Sequence, residues 1–163
     1  MQGKAQVIDP REAGRRLPQL TQPVFSEEAL ARADKTLEAM SGSFEKWLEA
    51  DLSKLQAARL RAAEAGWTDN AIDAIWRASH DLKGMGGTYG YPLVTQLAAS
   101  LCRLTETEAG KSAARVNTAL VDAHVDGLRA ALRDRITSDA HPVGRALVQT
   151  LETKVRQLGV APR

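Results

Sequence analysis

The chain has 163 residues, a length that fits one domain and allows a core without disulfides or metals. Its 22 basic and 20 acidic residues leave a formal net charge of +2, which gives no broad electrostatic case for nucleic-acid binding. The single cysteine excludes an internal disulfide and favours a reducing compartment. No apolar run approaches the roughly 20 residues of a membrane span, and the N-terminus lacks the apolar core of a signal peptide. We therefore expect a soluble, cytoplasmic protein that does not contact a membrane.

The first third of the chain is predicted to contain an irregular arm followed by helix. Prolines and glycines interrupt any period in residues 1–24, which we interpret as the arm. Ser26 is an expected N-cap, and apolar residues then recur at helical spacing as far as Met40. The sequence Ser41-Gly42-Ser43 either breaks or bends this helix before a second run, which extends from Phe44 to Gly66.

Four further helices are predicted in the rest of the chain. The third extends from Asp69 or Thr68 to the glycines at 87–90, and the fourth begins at Pro92 and carries a leucine repeat. Gly110 and Ser112 are expected to separate it from a fifth, over residues 116–136, and Pro142 opens a sixth that closes at Gly159. There is no strand signal. Short connections between amphipathic helices predict an all-α, up-and-down antiparallel bundle.

The third predicted helix carries an unusual group of polar residues and glycines. At about 100° per residue, Ile75, Ser79, Leu82 and Gly86 form one stripe that should face the core. The second group, His80, Lys83, Gly84 and Gly87, lies on another face, roughly 120° away. A glycine inside a helix costs about 1 kcal/mol relative to alanine, so this concentration of glycines needs a reason. We interpret it as access: something must come very close to His80.

The chemistry of this face suits a phosphoryl carrier. A neutral imidazole is a good nucleophile near neutral pH, and Lys83 can pair with a phosphoryl group placed on it. Gly84 and Gly87 would let a second protein approach the phosphorus atom in line. The chain has no Gly-rich nucleotide loop of the Walker type and no second catalytic carboxylate adjacent by spacing, so it has no means of activating ATP.

The run His80-Asp81-Leu82-Lys83-Gly84, with Gly90 ten residues past the histidine, resembles the signature of the histidine-containing phosphotransfer (HPt) family. The resemblance covers about residues 44–136 and implies a four-helix bundle core there, with additional N- and C-terminal helices in one domain over 25–160. It implies that His80 is the phosphoacceptor, through Nε2, and that Lys83 is the charge partner of the phosphate. It also implies that Gly84 is a docking position and that Gly90 ends the helix.

The sequence departs from the family pattern at two places. Small polar residues often follow the Lys-Gly pair in the family, whereas Met85-Gly86-Gly87 stands here. Many members also carry a Gln or Glu on the next helix that reaches the imidazole, and the nearby residues here are Cys102 and Arg103. Arg103 is therefore a candidate binding residue.

The function implied by the resemblance is relay of a phosphoryl group in a multistep phosphorelay. The donor would be the phospho-aspartate of a receiver domain or the histidine of a kinase, and the acceptor a receiver aspartate. We expect a monomeric phosphocarrier, not an enzyme, with no cofactor or metal of its own, and with Mg²⁺ supplied by the receiver. Two alternatives stay open: a helical adaptor that binds receiver or kinase domains without being phosphorylated, and a detached regulatory bundle of a larger kinase.

The remaining polar and aromatic residues are given structural interpretations. Trp76 lies one turn before His80 and either packs at the edge of the core or contacts a partner as a docking residue. His124 and His141 lack any comparable context, and His80, His124 and Cys102 do not have the spacing of a zinc site. Trp47 and Trp67 are predicted to lie in the core or at its edge, and Cys102 is predicted to be a packed, unreactive thiol. The arginines at 129, 133 and 135 are predicted to form a solvated face.

Overall fold

A computed structural model of the chain describes residues 26–160, apart from the side chain of Ser41, so the predicted arm lies outside the described residues. The chain divides into two units, Met1–Leu37 and Glu38–Arg163, and the core and the His80 site lie in the second. The described part contains no strand and six helices. They are α1 (Glu27–Glu64), α2 (Asp69–Thr88), α3 (Pro92–Glu106), α4 (Glu108–Val116), α5 (Thr118–Arg133) and α6 (Pro142–Gln157).

Helix α1 is a single helix of 38 residues, and it includes the segment where a break or bend was predicted. Its start is as predicted, because the Ser26 hydroxyl accepts a hydrogen bond from the Ala29 backbone N–H at 3.2 Å. A lone glycine costs a helix only about 1 kcal/mol, and no proline stands here to remove a hydrogen bond. Gly42 therefore does not interrupt α1. The helix ends at Glu64, and the predicted stop residue Gly66 follows two residues later with a φ of +68°.

Helices α2 and α3 form an antiparallel pair joined by a tight turn, and they pack extensively against each other. The predicted core stripe of α2 is confirmed: Ile75, Ser79, Leu82 and Gly86 are all buried. Gly90 has a φ of +82°, and the Tyr91 N–H donates to the Gly86 carbonyl at 2.7 Å. This is the Schellman arrangement that ends a helix, so Gly90 stops α2 as predicted.

The interpretation of Gly110 and Ser112 as a separator was wrong, since both lie inside α4. Thr107 caps this helix by accepting a hydrogen bond from the Gly110 N–H at 3.0 Å. A Cβ at Gly110 would lie 2.8 Å from the Leu104 carbonyl oxygen. Gly110 is therefore needed for the close approach of two successive helices and does not break either one.

The core is built from the C-terminal part of α1 together with α2, α3 and α5, which confirms the predicted all-α bundle. Helix α6 packs against α3 and α5 and adds Val148, Leu151 and Val155 to the same core. It is thus an additional layer on the bundle. No helix in the described part of the chain combines the length and the apolar character that a membrane crossing requires.

The three tryptophans differ in their surroundings. Trp67 and Trp76 are half-buried, in line with a position at the edge of the core. Trp47 is 48% exposed and belongs to the surface, which corrects its predicted placement. It lies beside the stacked rings of Phe44 and Tyr89, whose centroids are 4.5 Å apart. The arginines at 129, 133 and 135 are exposed, as predicted.

Candidate functional site

His80 lies on the outer face of α2 and is exposed, as the helical periodicity predicts. Its nearest ring neighbour is Trp76, one turn earlier on the same helix, with ring centroids 5.2 Å apart and planes inclined by 33°. The hydrogen bonds and ion pairs among residues 26–160 do not include the His80 ring, so both ring nitrogens are open to solvent or to a partner. An exposed imidazole with no internal partner is available as a nucleophile.

Lys83 follows His80 by three residues and therefore lies on the same side of α2, within one turn. It is half-buried, and it takes part in none of the ion pairs among the described residues. Its backbone carbonyl accepts a hydrogen bond from the Thr95 hydroxyl at 3.2 Å. Thr95 thus ties α3 to the turn of α2 that carries Lys83. Thr95 was not predicted as a site residue. Its one indication in the sequence was the position of Gly86 on the core face of α2, where another helix can come close.

The glycines beside His80 have three different roles. Gly84 is exposed, and a Cβ there would meet no atom within 4 Å. Gly87 is also exposed, and its Cβ would make only an ordinary contact, 3.5 Å from the Thr95 hydroxyl. Gly86 faces α3, where a Cβ would lie 2.8 Å from the Thr95 backbone nitrogen. Gly84 and Gly87 therefore leave bare backbone beside the imidazole, whereas Gly86 permits close helix packing.

Neither of the two α3 residues that stand near the expected imidazole partner makes a hydrogen bond with His80. Cys102 is buried, and its Sγ lies 4.0 Å from the Trp76 carbonyl oxygen. Burial raises the pKa of the Cys102 thiol to about 11, so it stays protonated and inert at neutral pH, as predicted for a packed thiol. Arg103 is engaged by Glu152 of α6 at 2.5 Å. The structure therefore brings together His80, Lys83, Trp76 and the glycines, but ties Arg103 to a different helix.

His124 also has a definite structural environment, although no function is predicted for it. It is fully buried, its Nδ1–H donates to the Leu120 carbonyl at 2.7 Å, and its Nε2 accepts from the Ser100 hydroxyl at 2.9 Å. Burial, with a smaller contribution from the charge of Arg103, lowers its pKa from 6.5 to about 4, although the hydrogen bond to the Leu120 carbonyl acts in the opposite direction. His124 is thus a neutral polar link between α3 and α5.

His80 is exposed and lines none of the cavities described within residues 26–160. A cavity of about 490 Å³ lies between α1 and α5, but none of the residues lining it belongs to α2 or α3. Within residues 26–160, no group of three or more His, Cys, Asp or Glu side chains is placed to hold a metal ion. An exposed nucleophile on a convex helix face suits another macromolecule better than a small substrate, which would need a concave pocket.

Comparison with known families agrees with this geometry. The model of the Hpt domain matches residues 39–137, which include the C-terminal part of α1, all of α2 to α5, and His80. The chain therefore belongs to the Hpt domain family, whose members are phosphocarriers. A search of curated proteins and a search of solved structures each found no match. The family assignment indicates a phosphotransfer role and does not favour the adaptor alternative.

Two glycine-to-alanine substitutions should have opposite effects on stability. Gly84→Ala adds a methyl group in open space on a helix, so it should raise the free energy of unfolding by about 0.5–1 kcal/mol. Gly86→Ala puts a Cβ against main-chain atoms of α3 and should lower it by about 1–3 kcal/mol. Urea unfolding followed by circular dichroism measures both. Equal effects of the two variants would mean that the tight α2–α3 contact is not as described.

Proposed function

We propose that this protein carries a phosphoryl group on His80 between aspartates of receiver domains, or from a kinase to a receiver domain. In the uptake step a bond forms between His80 Nε2 and phosphorus while the bond from phosphorus to the aspartate oxygen breaks. In the delivery step the same events occur in reverse on the next receiver. The Mg²⁺ that stabilises the transferring group would be held by the acidic pocket of the receiver.

The exposed His80 beside a strip of bare backbone is the observation that carries this proposal. A phosphoryl group in transfer lies between two proteins, with the attacking and leaving atoms roughly in line. Side chains at Gly84 and Gly87 would stand in the path of the partner, and neither position has one. The unpaired Lys83 is placed to offset the charge that arrives on the imidazole.

Of the other predicted site residues, the proposal includes Trp76 and leaves out Arg103. Trp76 is the aromatic residue beside His80 and supports docking of a receiver. Arg103 would have to leave Glu152 before it reached a phosphoryl group, so we assign it no part in the transfer. We further propose that the protein acts as a monomer in the cytoplasm, where the buried Cys102 remains a free thiol.

Phosphotransfer profiling tests the proposal directly. The full chain is incubated with radiolabelled phospho-receiver domains from the same genome and Mg²⁺, and the label on the chain is followed with time. We expect label that is labile in acid and stable in base, the behaviour of phosphohistidine, with at least one receiver. Receivers that bind the chain without ever labelling it would instead establish the adaptor function.

A further inference from the structure

Among residues 26–160, the imidazole of His80 makes one ring contact, which is with the indole of Trp76. The Trp76 and His80 centroids are 5.2 Å apart with planes inclined by 33°, within the range of favourable offset ring contacts. Side chains on an α-helix lean towards its N-terminus, so the His80 ring lies over the turn that carries Trp76. The indole therefore covers the side of the imidazole that faces the N-terminal end of α2.

No polar partner holds the imidazole within the described part of the chain. No hydrogen bond or ion pair of the ring occurs within residues 26–160. The Cys102 thiol points to the Trp76 carbonyl, and the Arg103 guanidinium is bound to Glu152. An exposed histidine without contacts would exchange among rotamers within nanoseconds, and only some of those rotamers present a ring nitrogen to a docked partner.

We propose that Trp76 is the positioning residue of the site, holding the His80 ring in the orientation that presents Nε2 for transfer. Trp76 is itself held at the edge of the core, because it is half-buried and lies where Cys102 of α3 meets α2. The ring of His80 then has indole on one side and the bare backbone of Gly84, one turn further on, on the other. The partner approaches from the glycine side while the indole backs the ring.

The expected effect of Trp76 on the rate of transfer rests on the proposed function. Its expected effect on the orientation of the His80 ring in the free chain does not. A residue that only docks the receiver changes the affinity for it. A residue that orients the nucleophile changes the rate of transfer once the receiver is bound, and it also changes the ring in the free protein. The two roles of Trp76 can therefore be separated with and without a partner.

The first measurement uses the free, unphosphorylated chain. Three-bond couplings and ring proton shifts from NMR report the His80 rotamer in the wild-type chain and in the variants Trp76→Phe, Trp76→Leu and Trp76→Met. We expect one dominant rotamer in the wild type and in Trp76→Phe, and averaged couplings in the two aliphatic variants. Trp47→Phe, which changes a tryptophan outside the site, is the matched control. A His80 ring whose rotamer is unaffected by the aliphatic variants would overturn the proposal.

The second measurement is transfer from a phospho-receiver over a range of receiver concentrations. We expect the aliphatic variants to lower kcat by roughly threefold to tenfold, in addition to any rise in KM from the lost docking contact, and Trp76→Phe to recover most of the rate. Urea unfolding identifies any variant that does not fold. If one of Trp76→Leu and Trp76→Met fails to fold, the transfer rate of the other one tests the proposal. A rise in KM with kcat unchanged would show a docking role alone and would overturn the positioning role. If no receiver phosphorylates the wild-type chain, the proposed function fails, and the NMR result still decides whether Trp76 orients the ring.

Discussion

Substitution of His80 by glutamine will abolish phosphoryl uptake from every phospho-receiver domain while leaving the fold intact. Uptake is lost because the amide of glutamine is not a nucleophile for phosphorus, and the described residues offer no other exposed histidine on α2. Stability should change by no more than about 0.5 kcal/mol, since His80 is exposed and makes no hydrogen bond within the described residues. Radiolabel transfer and urea unfolding, measured on the same preparation, test the two halves of this prediction.

His141→Asn provides the matched control for the loss of a histidine. His141 caps α6 by accepting a hydrogen bond from the Gly144 N–H at 3.2 Å, and asparagine is a good N-cap residue, so that variant should keep both its fold and its label. Label on the His80→Gln chain at the wild-type rate would remove His80 from the proposed reaction. Loss of label from His141→Asn would place the phosphoryl group elsewhere.

A second large effect should appear in the dependence of stability on pH. The pKa of His124 is about 4 in the folded chain and 6.5 when unfolded, so between these values the unfolded chain binds a proton that the folded chain does not bind. The stabilising contribution is therefore complete above pH 6.5 and is lost as the pH falls towards 4. We expect a loss of about 2 kcal/mol at pH 5 relative to pH 8, and about 3 kcal/mol in full.

The double variant His124→Leu, Ser100→Ala isolates this effect. It removes both side chains of the buried pair together, so neither is left without a partner, and the Leu120 carbonyl keeps its place in the hydrogen bonding of α5. Urea unfolding from pH 8 to pH 5 should show a shallower decline in the double variant than in the wild-type chain. Two curves that remain parallel over this range would show that His124 is not the group responsible.

The features that the sequence predicts well are those set by local periodicity. The exposed His80 and the buried Ser79 follow from counting residues along one helix, because the core face of α2 is continuous. The roles of Gly84 and Gly86 separate for the same reason. The helix ends at Gly66 and Gly90 were also predictable, since a backbone with positive φ favours glycine.

The features that the sequence did not reveal depend on contacts between helices distant in the chain. Gly110 looked like a helix breaker because its need for a close approach to Leu104 is a tertiary property. The pairing of Arg103 with Glu152 spans 49 residues, and that of His124 with Ser100 spans 24. No residue spacing in the sequence indicates such pairs. Trp76 is predicted as a neighbour of His80 from its spacing, but the distance and angle between the two rings depend on side-chain rotamers, which residue spacing does not determine.

The different surroundings of Gly84 and Gly86 have a consequence for engineering. Only two residues apart in the chain, they offer a position that tolerates new side chains and one that does not. A library at position 84 would place new groups in the path of a partner at little cost to the bundle, provided Gly86 is left unchanged. Partner choice could then be varied independently of folding, which is the separation needed to build relays that do not cross-react.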